Sequence, residues 1–136
     1  MIIKSALVCL ALNVYFEARN QPVMGQIAVS QVVLNRVRSP AYPDSICAVV
    51  KQAKYTRSGK LIRHKCQFSW YCDGKSDQPT DLSAYRWARY IALLVLYRGY
   101  PDLVDGATHY HSLSVDPEWN KRKQPLGIIG DHIFFK

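Results

Sequence analysis

The sequence predicts an α+β fold that is mainly helical, with a small antiparallel β-sheet at its C-terminal end. Three segments within the first hundred residues have the apolar spacing of helices, and two short strand-like segments follow them. The chain has 136 residues, of which 49% are hydrophobic, so it is long enough to bury one core. We therefore expect one domain that covers residues 1–136.

The first predicted helix runs from Lys4 to Arg19 and carries a carboxylate near its end. Its apolar positions recur with helical spacing, at Ile3, Leu7, Leu10 and Val14. The same stripe continues to Glu17. A carboxylate on a buried helix face loses hydration, which raises its pKa and favours the protonated form that a general acid needs. The competing interpretation is an exposed Glu17 that pairs with Arg19 in the last helical turn.

The second predicted helix runs from about Pro22 to Arg38. Proline suits a first helical turn, and the stretch between Gln26 and Ser39 contains no glycine or proline. Its many β-branched residues make a strand the alternative, but its length favours a helix. A proline-containing segment at 39–43 ends it. A short helix with Ile46, Val49 and Val50 is expected next, capped by Asp44 or Ser45.

Residues 51–79 show no helical pattern, and we expect a long loop or an irregular hairpin there. A loop of this length inside a compact domain usually has a function. A further helix is predicted from Thr80 to Arg98, capped by Thr80 or Asp81 and closed by Gly99. Two strands are then predicted at 106–111 and 130–135, on either side of a polar loop.

The net charge of the chain is +8, with a sequence pI of about 9.5. A basic surface indicates an anionic partner, such as nucleic acid, an anionic membrane or an acidic cell-envelope polymer. Much of the charge lies in the segment 51–65 and in a second run at 121–123. Solvated loops would explain either run equally well.

Four cysteines allow three full pairings, between which the sequence does not choose. Cys66 and Cys72 are close enough along the chain for a local disulfide. Cys9 is expected in the core of the first helix, where a free thiol acts as a small hydrophobic group. No pair has CxxC spacing, which argues against a structural zinc site.

Several residues outside the helices could bind a ligand. Flat rings with polar edges can stack on sugars or bases, although core filling is the simpler explanation for any single ring. The side chains in question are Gln67, Phe68, Trp70, Tyr71, Tyr110 and Trp119. None of the candidates for a second catalytic carboxylate lies on an apolar stripe as Glu17 does; they are Asp102, Asp105, Asp116, Glu118 and Asp131.

Three histidines near the C-terminus form a further candidate cluster. His109 and His111 share one face of a predicted strand, because side chains alternate along a strand. With His132 on a neighbouring strand, they could hold zinc. Hydrogen-bonded histidines at the rim of a groove are the alternative, and the HExxH pattern of metallohydrolase helices is absent.

A set of segments occurs in a recognisable order from the first helix to the last strand. They are 13–19 (NVYFEAR), 25–37 (GQIAVSQVVLNRV), 42–43 (YP), 46–50 (ICAVV), 67–69 (QFS), 106–111 (GATHYH), 117–119 (PEW) and 129–134 (IGDHIF). Together they resemble the spore cortex-lytic type of cell-wall hydrolase, a bacterial family that also occurs among phage lysis proteins. Each motif alone is weak, but the ordered set covers nearly the whole chain and is specific.

The resemblance implies a lysozyme-like α+β catalytic domain that acts on peptidoglycan glycan strands, without a cofactor. It implies a lytic transglycosylase or muramidase reaction that cleaves the bond between N-acetylmuramic acid and N-acetylglucosamine, with Glu17 as the catalytic acid. Substrate binding is expected from Gln67, Phe68, Ser69, His109, Tyr110, His111, Trp119 and His132. We expect a monomer that binds no nucleic acid, with the basic segment 51–65 available to an anionic envelope surface.

The chain departs from many family members in two ways: no separate peptidoglycan-binding module is expected, and a long basic insertion precedes Gln67. A bare, basic catalytic domain looks more like a phage endolysin. Residues 1–12 superficially resemble a secretory signal, with Lys4 before an apolar run, but no small-x-small cleavage site follows. We therefore treat them as part of the domain. The expectation is synthesis in the host cytoplasm and release to the envelope, where the protein acts on the cell wall.

Two other functions are compatible with the residues. A metal-dependent N-acetylmuramoyl-L-alanine amidase would use His109, His111 and His132 and would cleave the link between sugar and peptide. A non-enzymatic nucleic-acid-binding domain would use the +8 charge, but it would leave Glu17 and the ordered motifs unexplained. The sequence does not choose between hydrolysis and transglycosylation.

Overall fold

Three helices pack together at the centre of the molecule. A computed structural model describes residues 2–136, with side chains from residue 5 onward. Helix α1 (Ile2–Ala18) packs against α2 (Val23–Arg38) and most extensively against α4 (Leu82–Leu93). The alternative that the second segment forms a strand is wrong: Val23–Arg38 is an α-helix, and its apolar side chains are buried against the other helices. No helix in the described part of the chain is long and apolar enough to cross a membrane.

A short helix and an irregular hairpin follow α2. Helix α3 (Ile46–Val50) begins at Ser45, whose hydroxyl accepts a hydrogen bond from the Ala48 amide, as one of the two predicted caps would. Strands β1 (Ala53–Tyr55) and β2 (Leu61–Cys66) form an antiparallel pair with an irregular register. A 3-10 helix at Ser69–Cys72 completes the segment. The expectation of an irregular hairpin is confirmed.

Helix α4 begins with a side-chain cap, since Asp81 accepts a hydrogen bond from the Ala84 amide at 3.0 Å. The helix continues as a π-helix over Leu94–Arg98, a change of winding that the sequence did not predict. It ends at Gly99, whose φ of 63° is the left-handed conformation that glycine adopts at low cost.

The C-terminal sheet has three antiparallel strands in the order β3–β5–β4. They are β3 (His109–Ser112), β4 (Pro125–Ile129) and β5 (His132–Phe135). Strand β4 lies within the segment that we expected to be a polar loop, and its proline and glycine concealed it from the sequence pattern. The same segment contains a 3-10 helix at Glu118–Arg122.

Two disulfides join the four cysteines, and one of them corrects an expectation. Cys66 pairs with Cys72, as the short separation suggested. Cys9 is not a free thiol but pairs with Cys47, 38 residues away. Packing of α1 against α3 brings their Cα atoms to 5.3 Å, a proximity that belongs to the tertiary structure and is not visible in the spacing.

Candidate active site

Glu17 lies in the last turn of α1, at the edge of a small cavity. The helix ends at the next residue, and the amide of Gln21 bonds back to the carbonyl of Ala18 at 2.9 Å. The cavity has a volume of about 230 Å³. Its lining residues are Phe16, Glu17, Arg19, Asn20, Gln21, Ser112, Asp131 and His132. Since residues far apart in the chain meet here, α1 and the sheet build the cavity together.

The Glu17 carboxylate is held by a tyrosine from the sheet. The Tyr110 hydroxyl, on β3, donates a hydrogen bond of 2.6 Å to Glu17 Oε1. The Tyr110 ring packs against His132, with centroids 5.0 Å apart, and against Phe134, at 5.6 Å. These contacts fix the ring, so the hydroxyl points at the carboxyl group.

The surroundings of Glu17 favour its protonated form. Loss of hydration raises the pKa of Glu17 above its ordinary value, while the Tyr110 hydrogen bond and the Arg36 charge partly oppose that rise. The residue is only partly buried as a whole, but its carboxyl group is largely shielded from water. Burial and the neighbouring Glu17 raise the pKa of Tyr110 far above its ordinary value, so its hydroxyl remains a donor.

Arg36 is a buried cation that the sequence prediction missed. The residue is 5% exposed, and its Nε donates a 2.7 Å hydrogen bond to the carbonyl of Thr108. Its guanidinium lies over the rings of Tyr42 and Phe68, at 4.9 and 5.2 Å from their centroids. Within the described part of the chain, its Nη1 atom has no hydrogen-bond partner. An arginine among the apolar residues of a predicted helix was the available signal.

The turn between β4 and β5 is fastened to the end of α1. Gln21 Oε1 accepts a 2.9 Å hydrogen bond from the Asp131 amide, and Gln21 Nε2 donates one of 3.3 Å to Asp131 Oδ2. At Gly130, which has a φ of 60°, an added Cβ would collide with Gln21. This contact keeps His132 beside Glu17 and makes Asp131 a second carboxylate on the cavity wall.

The sheet register separates the three histidines that were considered for zinc. His132 lies opposite Ser112 in the ladder, and therefore on the same face as Tyr110. His109 and His111 point to the opposite face. No group of three or more histidine, cysteine or acidic side chains suited to a metal occurs in the described part of the chain. The predicted three-histidine cluster is thus wrong, because alternation places its members on two faces.

His109 and His111 are joined by Trp119 in a ring cluster. The Trp119 ring lies 5.1 Å from that of His109 and 5.5 Å from that of His111. His111 donates from Nδ1 to the carbonyl of Ser112 at 2.8 Å, which leaves Nε2 to accept from Asn120. Burial and nearby cations lower the pKa of His109 to about 4, so it is neutral at neutral pH. His109, His111 and Trp119 do not line the Glu17 cavity.

The QFS segment also lies outside the cavity lining. Phe68 is 3% exposed and belongs to the hydrophobic core, so its ring packs inside the protein, although it was expected to stack on substrate. Gln67 and Ser69 are exposed. Of the eight predicted substrate-binding residues, the structure brings two to Glu17, namely Tyr110 and His132.

A buried tryptophan supports the catalytic end of α1 from behind. Trp70 donates through Nε1 to the Asn13 side chain at 2.9 Å, and its ring stacks on Phe16 with centroids 4.9 Å apart. Both partners lie on α1 within four residues of Glu17. Trp70, which directly follows the QFS segment, therefore helps to position the end of α1 that carries Glu17.

The sequence of the chain is similar to that of several known proteins. The sequence model of the family described as Cell Wall Hydrolase matches residues 20–135. A spore cortex-lytic enzyme of Halalkalibacterium halodurans is 32% identical over 92% of this chain, and one of Oceanobacillus iheyensis is 46% identical over 90%. The aligned parts cover 33% and 38% of those relatives, so the chain spans little more than a third of their length.

Two solved structures share the fold. The catalytic domain of the Bacillus cereus SleB protein has a TM-score of 0.68 and 27% identity, and covers 98% of this chain and 91% of its own. The catalytic domain of a germination-specific lytic transglycosylase, SleB from Bacillus anthracis, has a TM-score of 0.65 and 25% identity, covering 96% and 93%. The predicted lysozyme-like α+β fold is confirmed.

Proposed function

The chain belongs to the cell wall hydrolase family, and on that premise we propose that it cleaves peptidoglycan glycan strands. The proposed target is the glycosidic bond between N-acetylmuramic acid and N-acetylglucosamine. One observation carries the proposal: Glu17, with a raised pKa and a hydrogen bond from Tyr110, lies at the wall of a cavity. A carboxylic acid with a raised pKa keeps its proton to a higher pH than an ordinary glutamate does, which is what a general acid requires.

In the proposed mechanism, protonated Glu17 donates its proton to the glycosidic oxygen. The bond from that oxygen to C1 of the muramic acid breaks through an oxocarbenium-like state. The Glu17 carboxylate that results is stabilised by the Tyr110 hydroxyl and by the charge of Arg36, both of which favour its ionised form. Loss of hydration thus favours protonated Glu17 before the proton transfer, while Tyr110 and Arg36 stabilise the Glu17 carboxylate after it.

The second step returns a proton to Glu17. For a lytic transglycosylase, the carboxylate takes it from the C6 hydroxyl of the muramic acid, and that oxygen closes on C1 to form an anhydro-sugar end. This route needs no second carboxylate, and the similar SleB domain of Bacillus anthracis belongs to a lytic transglycosylase. For a muramidase, a water molecule attacks C1 instead, and Asp131, which lines the same cavity, is proposed to orient that water.

The decisive experiment replaces Glu17 with glutamine, which keeps the shape and removes the acid. We expect E17Q to lower the rate of cleavage of purified peptidoglycan by about 10³-fold or more. Glu118 offers a matched control, because it is the only other glutamate and forms only an exposed ion pair with Lys121. E118Q should keep full activity. Retention of activity in E17Q would falsify the proposal.

Mass spectrometry of the released fragments identifies the second step. Transglycosylation leaves anhydro-muramic ends, which are lighter by one water than the reducing ends that hydrolysis leaves. Free amino groups in place of new sugar ends would indicate an amidase. Because the register separates His132 from His109 and His111, we do not favour that alternative.

The remaining residues of the predicted binding set are proposed to act further along the glycan strand. Tyr110 and His132 are beside Glu17, while His109, His111 and Trp119 could contact sugar or peptide beyond the cavity, as could the exposed Gln67 and Ser69. We further propose that residues 1–136 form one catalytic domain that works as a monomer and without a cofactor.

The basic hairpin is proposed to contact an anionic envelope surface. Six cationic side chains of the segment 51–65 are all exposed: Lys51, Lys54, Arg57, Lys60, Arg63 and Lys65. Such a cluster attracts acidic polymers over about 10 Å at moderate salt. The endolysin interpretation, with synthesis in a host cytoplasm, rests on this charge and on the family resemblance; the two relatives named above are spore cortex-lytic enzymes.

A further inference from the structure

A second depression lies on α4 and takes no part in the proposed mechanism. It is open and shallow, with a volume of about 700 Å³. Its lining residues are Asp81, Ser83, Ala84, Arg86, Trp87 and Tyr90. None of them lines the Glu17 cavity. The depression is therefore a separate surface feature, built by the N-terminal cap of α4 and the first nine residues of that helix.

Two aromatic rings form its apolar floor although the core does not need them. Trp87 is 44% exposed and Tyr90 is 49% exposed, whereas Ala88 and Ile91 on the other side of α4 are buried. The two ring centroids are 5.3 Å apart and the planes are inclined by 35°. Large rings left in water at the same site, in a fixed relation to each other, are typical of a binding surface.

Polar groups surround the rings and are free to bind. Asp81 uses Oδ1 to cap α4, which leaves its other oxygen available. Across the residues that the structure describes, neither the Ser83 hydroxyl nor the Arg86 guanidinium has a hydrogen-bond or ionic partner. Arg89 is exposed on the same helix and adds a second cation. The site thus combines flat apolar faces with donors, an acceptor and positive charge.

We propose that this depression is a second binding site for a glycan strand of peptidoglycan, an inference that rests on the proposed function for the identity of the polymer. The apolar face of a sugar ring can stack on Trp87 or Tyr90, while its hydroxyls bond to Asp81 and Ser83. Arg86 and Arg89 match the carboxylates of the peptides attached to the strand. A lipid surface fits less well, because it would leave the concavity empty and bring Asp81 against anionic headgroups.

The second site is connected to the helix that carries Glu17. The amides of Thr80 and Asp81 donate hydrogen bonds to the Tyr15 hydroxyl, at 3.2 and 3.1 Å. Tyr15 is buried in α1, two residues before Glu17. Because both sites belong to one molecule, a strand held at the depression stays tethered to the enzyme between cleavage events, which raises its effective concentration at the cavity.

Binding can be tested without cleavage by placing the changes in the E17Q protein. Sedimentation with insoluble purified cell-wall sacculi measures the affinity of E17Q, E17Q/W87A and E17Q/Y97A. We expect W87A to weaken binding about tenfold, the usual effect of removing one aromatic anchor. Tyr97 is the matched control: it is 58% exposed on the following π-helix and does not line the depression. E17Q/Y97A should bind sacculi with the same affinity as E17Q.

A second measurement separates this inference from the proposed function. With Glu17 intact, W87A should cleave short soluble glycan fragments at the unchanged rate and sacculi more slowly. Equal binding of E17Q and E17Q/W87A to sacculi would overturn the inference. A W87A binding defect seen only with anionic vesicles would assign the depression to a lipid surface and would also overturn it. So would a change from dimer to monomer on W87A substitution, measured by analytical ultracentrifugation, since the depression would then be a contact between two copies. If the intact protein cleaves nothing, the proposed function fails, and the sedimentation result still stands by itself.

Discussion

The two faces of the C-terminal sheet differ in the hydrogen-bond partners of their polar side chains. On one face, Tyr110 reaches across to Glu17, 93 residues away in the chain, at 2.6 Å. On the other face, His109 and His111 both pack against Trp119. They form hydrogen bonds with near neighbours along the chain or with Tyr42. Adjacent residues of one strand thus belong to two different environments.

The difference is clearest in the state of the ring nitrogens. Both nitrogens of His109 and of His111 have hydrogen-bond partners. His132, on the Tyr110 face, is buried and its Nδ1 atom has no partner among the residues that the structure describes. Buried polar atoms are normally paired, so this unpaired nitrogen distinguishes the Tyr110 face from the opposite face. The paired face is expected to contribute stability in addition to the contacts proposed for it further along the glycan strand.

Removal of the Tyr110 hydroxyl tests the ligand-facing side and should have the larger effect. Y110F keeps the ring contacts but leaves the Glu17 carboxylate without its donor, so we expect cleavage to slow by about 10- to 100-fold. Because the lost hydrogen bond lowered the Glu17 pKa, the alkaline limb of the pH–rate profile should move to higher pH. Kinetics across a pH series measures both. An unmoved limb would contradict the assigned role.

Truncation of Trp119 tests the opposite face. W119A removes the ring that joins His109, His111 and Phe135, and we expect the free energy of unfolding to fall by about 1–3 kcal/mol. The pH–rate profile should keep its shape, because Trp119 does not contact Glu17. Chemical denaturation and kinetics give the two readouts. An unchanged free energy of unfolding would contradict the stabilising role, whereas a raised KM would support the proposed contact of Trp119 with the glycan.

The smallest expected effect concerns the cost of Glu17, the proposed catalytic acid, to the stability of the fold. A raised pKa in the folded state means that Glu17 costs nothing below its unfolded pKa, and destabilises the fold as the pH rises above it. E17Q should therefore unfold at a temperature higher by about 3 °C at pH 7, a difference that vanishes near pH 3.5. Thermal unfolding at both pH values measures it. If E17Q raised the unfolding temperature more at pH 3.5 than at pH 7, the pKa of Glu17 would be lowered by folding, which contradicts the prediction.

The sequence was sufficient for the elements that depend on local patterns. The apolar stripe of α1 predicted both the helix and the unusual position of Glu17. Length without glycine or proline was enough to decide for a helix at α2, despite its many β-branched residues. The cap at Asp81 and the end at Gly99 follow from side-chain hydrogen bonding and from backbone freedom at single residues.

What the sequence could not supply depends on register and on distant packing. Whether His132 joins His109 or Tyr110 is decided by a shift of one residue in the β3–β5 ladder, which no local pattern reports. The pairing of Cys9 with Cys47 and the approach of Arg36 to Glu17 both arise from how the helices pack. Strand β4 has too little apolar alternation to be recognised alone.

The bond between Cys9 and Cys47 makes the stability of α1 depend on the oxidation state of its surroundings. Closing a loop of 38 residues is worth about 4 kcal/mol in the chain-entropy description, against about 2 kcal/mol for the six-residue separation of Cys66 and Cys72. Thiols stay reduced in most cytosols and become oxidised outside the cell. The helix that carries Glu17 is therefore expected to be held less firmly in a reducing compartment than in an oxidising one, such as the envelope surface at which the protein is proposed to act.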